Sequence, residues 1–128
     1  MQTENSLAVT SFDHITLIVD DLEATRKFYV NFLGMTESQR PAFDFPGAWF
    51  QIGVVQIHAT CSSELAGRAG WGDRQVKSIS RGHDFAFTVD NFEDAMNAIN
   101  SLEIEIGEGP KTRPDGAKQV YVYDPDGH

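Results

Sequence analysis

Residues 12–34, FDHITLIVDDLEATRKFYVNFLG, constrain the fold of this chain more than any other stretch. Ile15, Leu17 and Val19 alternate with His14, Thr16 and Ile18, the period of a β-strand with one apolar face and one that carries a histidine. Alternation then gives way to helical spacing, with Leu22, Thr25, Phe28, Tyr29, Phe32 and Leu33 along one side. Asp20 is placed to cap that helix, Glu23 to reach back to the cap amide, and Gly34 to supply a left-handed stop. The chain does this a second time. HDFAFTVDNFEDAMNAINSLEI, from His83 to Ile104, predicts a strand over 84–89 and an Asp90-x-x-Glu93 capping box. The helix that follows, over 91–102, carries Phe92, Ala95, Met96, Ile99 and Leu102 on one face. Two copies of one strand–helix unit organise the chain.

The intervening sequence fills out each unit. Residues 35–40 read as a strand, RPAFDFPG as a loop held by Pro41 and Pro46, and 48–52 with 54–60 as a hairpin turning near Gly53. The first unit, 12–60, is therefore β-α-β-β-β. Residues 61–82 are rich in glycine, lack periodicity, and read as a linker or lid. The second unit, 83–128, continues with a short strand near 103–107, the loop GEGPKTRPDGA, a strand over 118–123 and a tight turn at DPDG. By the repeat, one more strand is expected after that turn, so the second unit is incomplete within these residues. Residues 1–11 read as a flexible tail.

Composition removes several classes of function. With 41% hydrophobic and 23% charged residues over 128 positions, the chain has the make-up of one compact unit. No apolar run approaches the ~20 residues of a membrane span, and residues 1–11 lack the basic start of a signal peptide. A net charge of −9, with its 10 basic residues scattered, argues against binding a nucleic-acid backbone. The lone Cys61 forms no internal disulfide, fits a cytoplasmic setting, and reads as a small packing residue. There is no Gly-rich phosphate loop, no G-x-S-x-G elbow and no Cys/His nucleophile pair.

Four stretches together, FDHITLIVDDLEATRKFYVNFLG, VVQIHAT, GHDFAFTVDN and RPDGAKQVYVYDPDGH, resemble the vicinal oxygen chelate superfamily in a consistent order over 12–128. This superfamily includes glyoxalase I, bleomycin resistance proteins and extradiol dioxygenases. The resemblance implies an α+β fold of paired βαβββ modules curled into a cup-shaped mixed sheet, a divalent metal in the cup, and a homodimer. It places metal ligands on the first and last strands of each module. In the first module those positions are His14 and His58. Alternation agrees, since Gln56, His58 and Thr60 share a face opposite Val55, Ile57 and Ala59, as His14 does opposite Ile15 and Leu17. In the second module the matching position is Asp84, with His83 next to it. A regular strand presents Asp84, and a bulge at Gly82 would turn His83 inward instead. The fourth ligand, a glutamate, is implied three residues beyond DPDG-x, outside the 128 residues, and the natural polypeptide is expected to continue to it. His128 belongs to the turn.

Trp49, Gln51, Gln119, Tyr121 and Tyr123 are further cup-facing candidates for substrate contact, with Arg113 and Lys111 at its mouth to meet an anion. The leading expectation is a metal-dependent glyoxalase-like lyase or isomerase. It would use zinc, nickel, cobalt, manganese or iron to chelate a small oxygenated metabolite while a carboxylate moves a proton. That carboxylate is the glutamate outside the sequence, so the catalytic base is unknown. Glyoxalase I has acids where this chain has His58. Two alternatives stand beside it. One is an extradiol-type dioxygenase using His14, His58 and Asp84 around iron. The other is a metal-free drug or metabolite binding (resistance) protein that holds its ligand with the cup's aromatics.

Overall fold

Leu17 and Val19 have no exposed surface, and Ile57 and Ala59 on the neighbouring strand are each 1% exposed. These side chains are the apolar stripe that the alternation marks, and burying each large one contributes roughly 1.5–3 kcal/mol. The structure is a computed structural model that describes residues 6–70 and 82–128. Strands β1 (His14–Val19), β2 (Thr36–Ser38), β3 (Gly47–Ile52) and β4 (Val55–Cys61) form a mixed sheet in the order β1-β4-β3-β2. β1 runs parallel to β4, and the other pairs are antiparallel. The helix between β1 and β2 packs Phe28 and Tyr29 onto Leu17, Val19, Phe50 and Ile57, which is the main core.

That helix departs from a regular α-helix. α1 (Leu22–Arg26) continues as a π-helical turn over Lys27–Phe32, closed by Leu33 N–H donating to the Phe28 carbonyl at 3.0 Å. The wider turn lets the sequence neighbours Phe28 and Tyr29 both point inward, 8% and 0% exposed. Gly34 then ends the helix with φ of +77°, as its position predicts. The caps differ from expectation by one residue. Asp21, not Asp20, accepts from the amides of Glu23 and Ala24, while Asp20 accepts from the Ser62 hydroxyl at 2.7 Å. In the second unit Asn91, not Asp90, caps α2 (Phe92–Ser101) by accepting from the Asp94 amide at 3.0 Å. A side chain caps only from the residue whose own backbone is still extended, and at Asp21 and Asn91 it is.

The second unit pairs β5 (Ile106–Thr112) with β6 (Lys118–Val122) in an antiparallel hairpin. β5 reaches further than the expected strand at 103–107, at the expense of the loop. Its ladder slips twice, the second time between Glu108 and Lys111, where Pro110 has no N–H to give. The expected strand at 84–89 is not formed among the described residues. Phe87 and Val89, expected to pack on the helix, are 41% and 57% exposed, although Phe85 reaches the margin of the core. Alternation alone does not make a strand, because the backbone needs a ladder partner, and none lies beside these residues among those described. Residues 71–81 of the expected linker or lid lie outside the described residues. The two units are tied together at a buried contact, in which the Tyr29 hydroxyl donates to Asp124 at 2.7 Å. No helix among the described residues is long and apolar enough to cross a membrane.

Candidate metal and ligand face

The core side of the four-stranded sheet is covered by α1, and the other side is bare of any helix among the described residues. On that bare side alternation brings His14 from β1, Trp49 and Gln51 from β3, and Gln56 and His58 from β4 into one field. The His14 and His58 rings stack with centroids 3.9 Å apart and planes inclined by 15°. Trp49 stacks on the other face of His58 at 4.0 Å, with planes inclined by 3°.

Hydrogen bonds set the tautomers of both histidines. His14 Nδ1 lies 2.7 Å from Asp13 Oδ2, and a carboxylate only accepts, so Nδ1 carries a proton and the ring's other nitrogen, Nε2, is the one able to offer a lone pair. His58 Nε2 lies 2.7 Å from the Gln56 side-chain oxygen, Oε1, which leaves Nδ1 as the lone-pair nitrogen there. Gln56 is steadied in turn by donating to Gln51 Oε1 at 3.4 Å, and Gln51 donates to the Gly53 carbonyl. Burial lowers the His58 pKa, and His14 and then Arg40 push it further down against the raising effect of Asp13. His58 is thus held neutral at neutral pH, as a ligand nitrogen must be.

This donor set fits half of a transition-metal centre: two imidazoles from adjacent strands, each oriented by an oxygen partner. The lone pairs lie in the ring planes, and nearly parallel planes keep them from converging. One ring must turn about its Cβ–Cγ bond before both can reach one ion.

The remaining sequence candidates lie elsewhere. His83 and Asp84 border a second feature, a cavity of about 720 Å³ between the first helix, α2, residues 82–90 and β6, and neither His14 nor His58 lines it. Gln119, Tyr121, Tyr123 and Arg113 also border this cavity. Gln119 donates to the Tyr121 hydroxyl at 3.2 Å. Arg113 is bound to Asp115 of its own turn, through Nε at 3.0 Å and through Nη2, which holds the Asp115 carboxyl down at about 2. Lys111 is paired with Glu108 and lies over the Tyr121 ring. The first-module candidates are therefore assembled on one face and the second-module candidates on another.

Among the described residues, Asp124, Asp126 and His128 also gather close enough to share an ion. The Asp124 carboxylate, however, already accepts from the Tyr29 hydroxyl, the Asp126 and His128 amides, and His128 Nδ1. Its lone pairs are committed to docking the DPDG turn against the first helix. Sequence reasoning did not single out Asp13, Arg40 or Phe43 for this region. Asp13 precedes the strand, and the others lie in an aperiodic loop.

The sequence model of the Glyoxalase/Bleomycin resistance protein/Dioxygenase superfamily matches residues 11–128. A metallothiol transferase, FosB, from Lysinibacillus sphaericus is 27% identical over 128 residues, taking in 95% of this chain and 80% of that protein. Among solved structures, a glyoxalase/dioxygenase from Nostoc punctiforme superposes with a TM-score of 0.72 at 26% identity, over 98% of this chain and 90% of that one. An integron cassette protein from V. cholerae gives a TM-score of 0.67 at 28% identity, over 95% and 92% of the two chains.

Proposed function

Because the chain belongs to the glyoxalase/bleomycin resistance protein/dioxygenase superfamily, we propose that it is a metal-dependent enzyme acting on a small oxygenated metabolite, of glyoxalase-like lyase or isomerase type. The observation that carries this reading is the pair of oriented histidines, His14 and His58, on the bare sheet face. His14 Nε2 and His58 Nδ1 would hold the ion. Bound there, a divalent metal supplies a Lewis acid for two neighbouring substrate oxygens. Asp13 and Gln56 keep each ring in the tautomer that exposes its lone pair. Trp49 covers the outer face of His58 and keeps water from that side. The third donor would be Asp84, or His83, from the second module. Since these residues border a different surface from the histidine pair, a second copy of the chain is the natural source, and the protein would work as a cytoplasmic homodimer. A relative that is a metallothiol transferase supports the metal dependence.

The near-parallel histidine rings favour one second reading, a metal-free binding protein in which Trp49, His58 and His14 stack on a planar ligand. Cobalt(II) titration followed by visible absorption separates the two. The metal reading predicts about one ion per protomer, and at least a tenfold loss of affinity in His14→Ala with unchanged circular dichroism. Equal cobalt binding in that variant, or none in the natural protein, would remove the enzyme reading in favour of the binding one. Metal-loaded protein assayed on hemithioacetals and on catechols then distinguishes lyase or isomerase from dioxygenase chemistry.

A further inference from the structure

The face that carries His14 and His58 continues to Arg40, a cation with no acidic partner among the described residues. Arg40, half-buried after β2, has its guanidinium carbon 4.9 Å from the centre of the Phe43 ring and 4.8 Å from that of Phe45. Its Nη2 donates to the Phe45 carbonyl at 2.9 Å. Among the described residues Arg40 makes no ion pair, whereas Arg26 is paired with Glu37, Lys111 with Glu108 and Arg113 with Asp115. Lys27, Arg68 and Lys118 likewise make no ion pair among the described residues, and what sets Arg40 apart is its seat against two aromatic rings on the face that carries the histidines.

Its seat is built into the sheet. A Cβ at Gly47 would stand 3.1 Å from Arg40 Nε and Nη2, and 2.4 Å from the Ala59 carbonyl oxygen, so only glycine leaves room there. The cradle is also continuous with the histidine pair. Phe43 lies 6.1 Å from Trp49, Trp49 stacks on His58, and His58 stacks on His14. The two rings stand 5.3 Å apart on one side of the guanidinium, and its edge keeps N–H groups beyond the one given to Phe45. That edge is the part of an arginine that grips a carboxylate through two parallel hydrogen bonds.

We propose that Arg40 is the anion-recognising residue of this face, taking the carboxylate of a planar ligand whose ring lies along Trp49 and whose paired oxygens point to His14 and His58. The assignment rests on reading the bare face as the ligand site. The substrate class that follows is a planar aromatic or enolic acid with two neighbouring oxygens. A neutral diol lacking the acid would be a poorer ligand.

The test compares 3,4-dihydroxybenzoate with catechol by isothermal titration calorimetry, on the natural protein, Arg40→Gln and Arg40→Lys, each without metal and loaded with zinc. The acid should bind the natural protein about tenfold more tightly than catechol, a preference that shrinks as salt is added. Arg40→Gln should erase the preference by weakening the acid alone. Arg40→Lys, which keeps the charge and loses the planar fork, should fall between and also guards against a folding defect in the first variant. A ratio near one in the natural protein, no binding of the acid at millimolar concentration, or an unchanged ratio in Arg40→Gln would overturn the assignment. Zinc uptake in the same samples separates the two claims. Failure to take up zinc counts against the metal reading while the metal-free ratio still judges Arg40, and zinc uptake with an unchanged ratio counts against Arg40 alone.

Discussion

The two halves of the chain start from the same strand–helix pattern and arrive at different states. In the first, β4 lies between β1 and β3, so Leu17, Val19, Phe50 and Ile57 are all within 1% of full burial. In the second, Phe85, Phe87 and Val89 repeat the alternation, but residues 84–89 face β6 across a cavity of about 720 Å³, and no strand among those described lies between them. The position that β4 fills in the first half has no counterpart there among the described residues. Alternation states which side chains are fit for burial, and a neighbouring strand is what buries them. The functional consequence is parallel. The histidines of the first half are fixed by a closed sheet and by oriented partners, whereas His83 and Asp84 border an open space.

Core substitutions expose this contrast most strongly. Phe50→Ala removes a fully buried ring from the closed half and should cost about 4 kcal/mol in urea unfolding. Asp124→Asn strikes the tie between the halves and should cost about 3 kcal/mol, because the Tyr29 hydroxyl and His128 lose a buried charged acceptor. That tie is also sensitive to acid. Burial pushes the Asp124 carboxyl up, but hydrogen bonds and charge from His128, with the Tyr29 bond, outweigh it and leave the pKa below the usual value. The unfolded chain then binds more protons in the window between the two values. The contribution is complete above about pH 3.9 and is lost as pH falls toward the lower, folded value, a slope that Asp124→Asn should flatten. Phe87→Ala, in the open half, should cost less than about 1 kcal/mol. Equal costs for Phe50→Ala and Phe87→Ala would break the comparison.

Much of this was legible in the residues. The strands of the first half, both helices and the inward and outward faces follow from periods of two and 3.6 with named side chains at each position. The bare face carrying His14, His58, Trp49 and Gln51 follows from the same count. Other features were not legible, for reasons that are physical. Asp20-Asp21 and Asp90-Asn91 each offer two caps in a row, and only backbone geometry chooses between them. The π-helical turn at 27–32 has no repeat to read. The second-half strand pattern was clear, but pattern does not supply a partner. Arg40 is set by ring contacts within a loop, where spacing carries no information.

In the proposed site, His14 and His58 together would form the metal-holding half. Long-range ¹H–¹⁵N spectra of the four histidine rings during zinc titration test it most directly. The account predicts that the ring nitrogens of His14 and His58 move together and stop at about one equivalent, while His128, held by Asp124, stays in place. Movement of His83 in step with them would name it as the third donor, and a still His83 would favour Asp84. If His14 and His58 stay fixed while zinc binds, or if only His83 and His128 respond, the claim is contradicted.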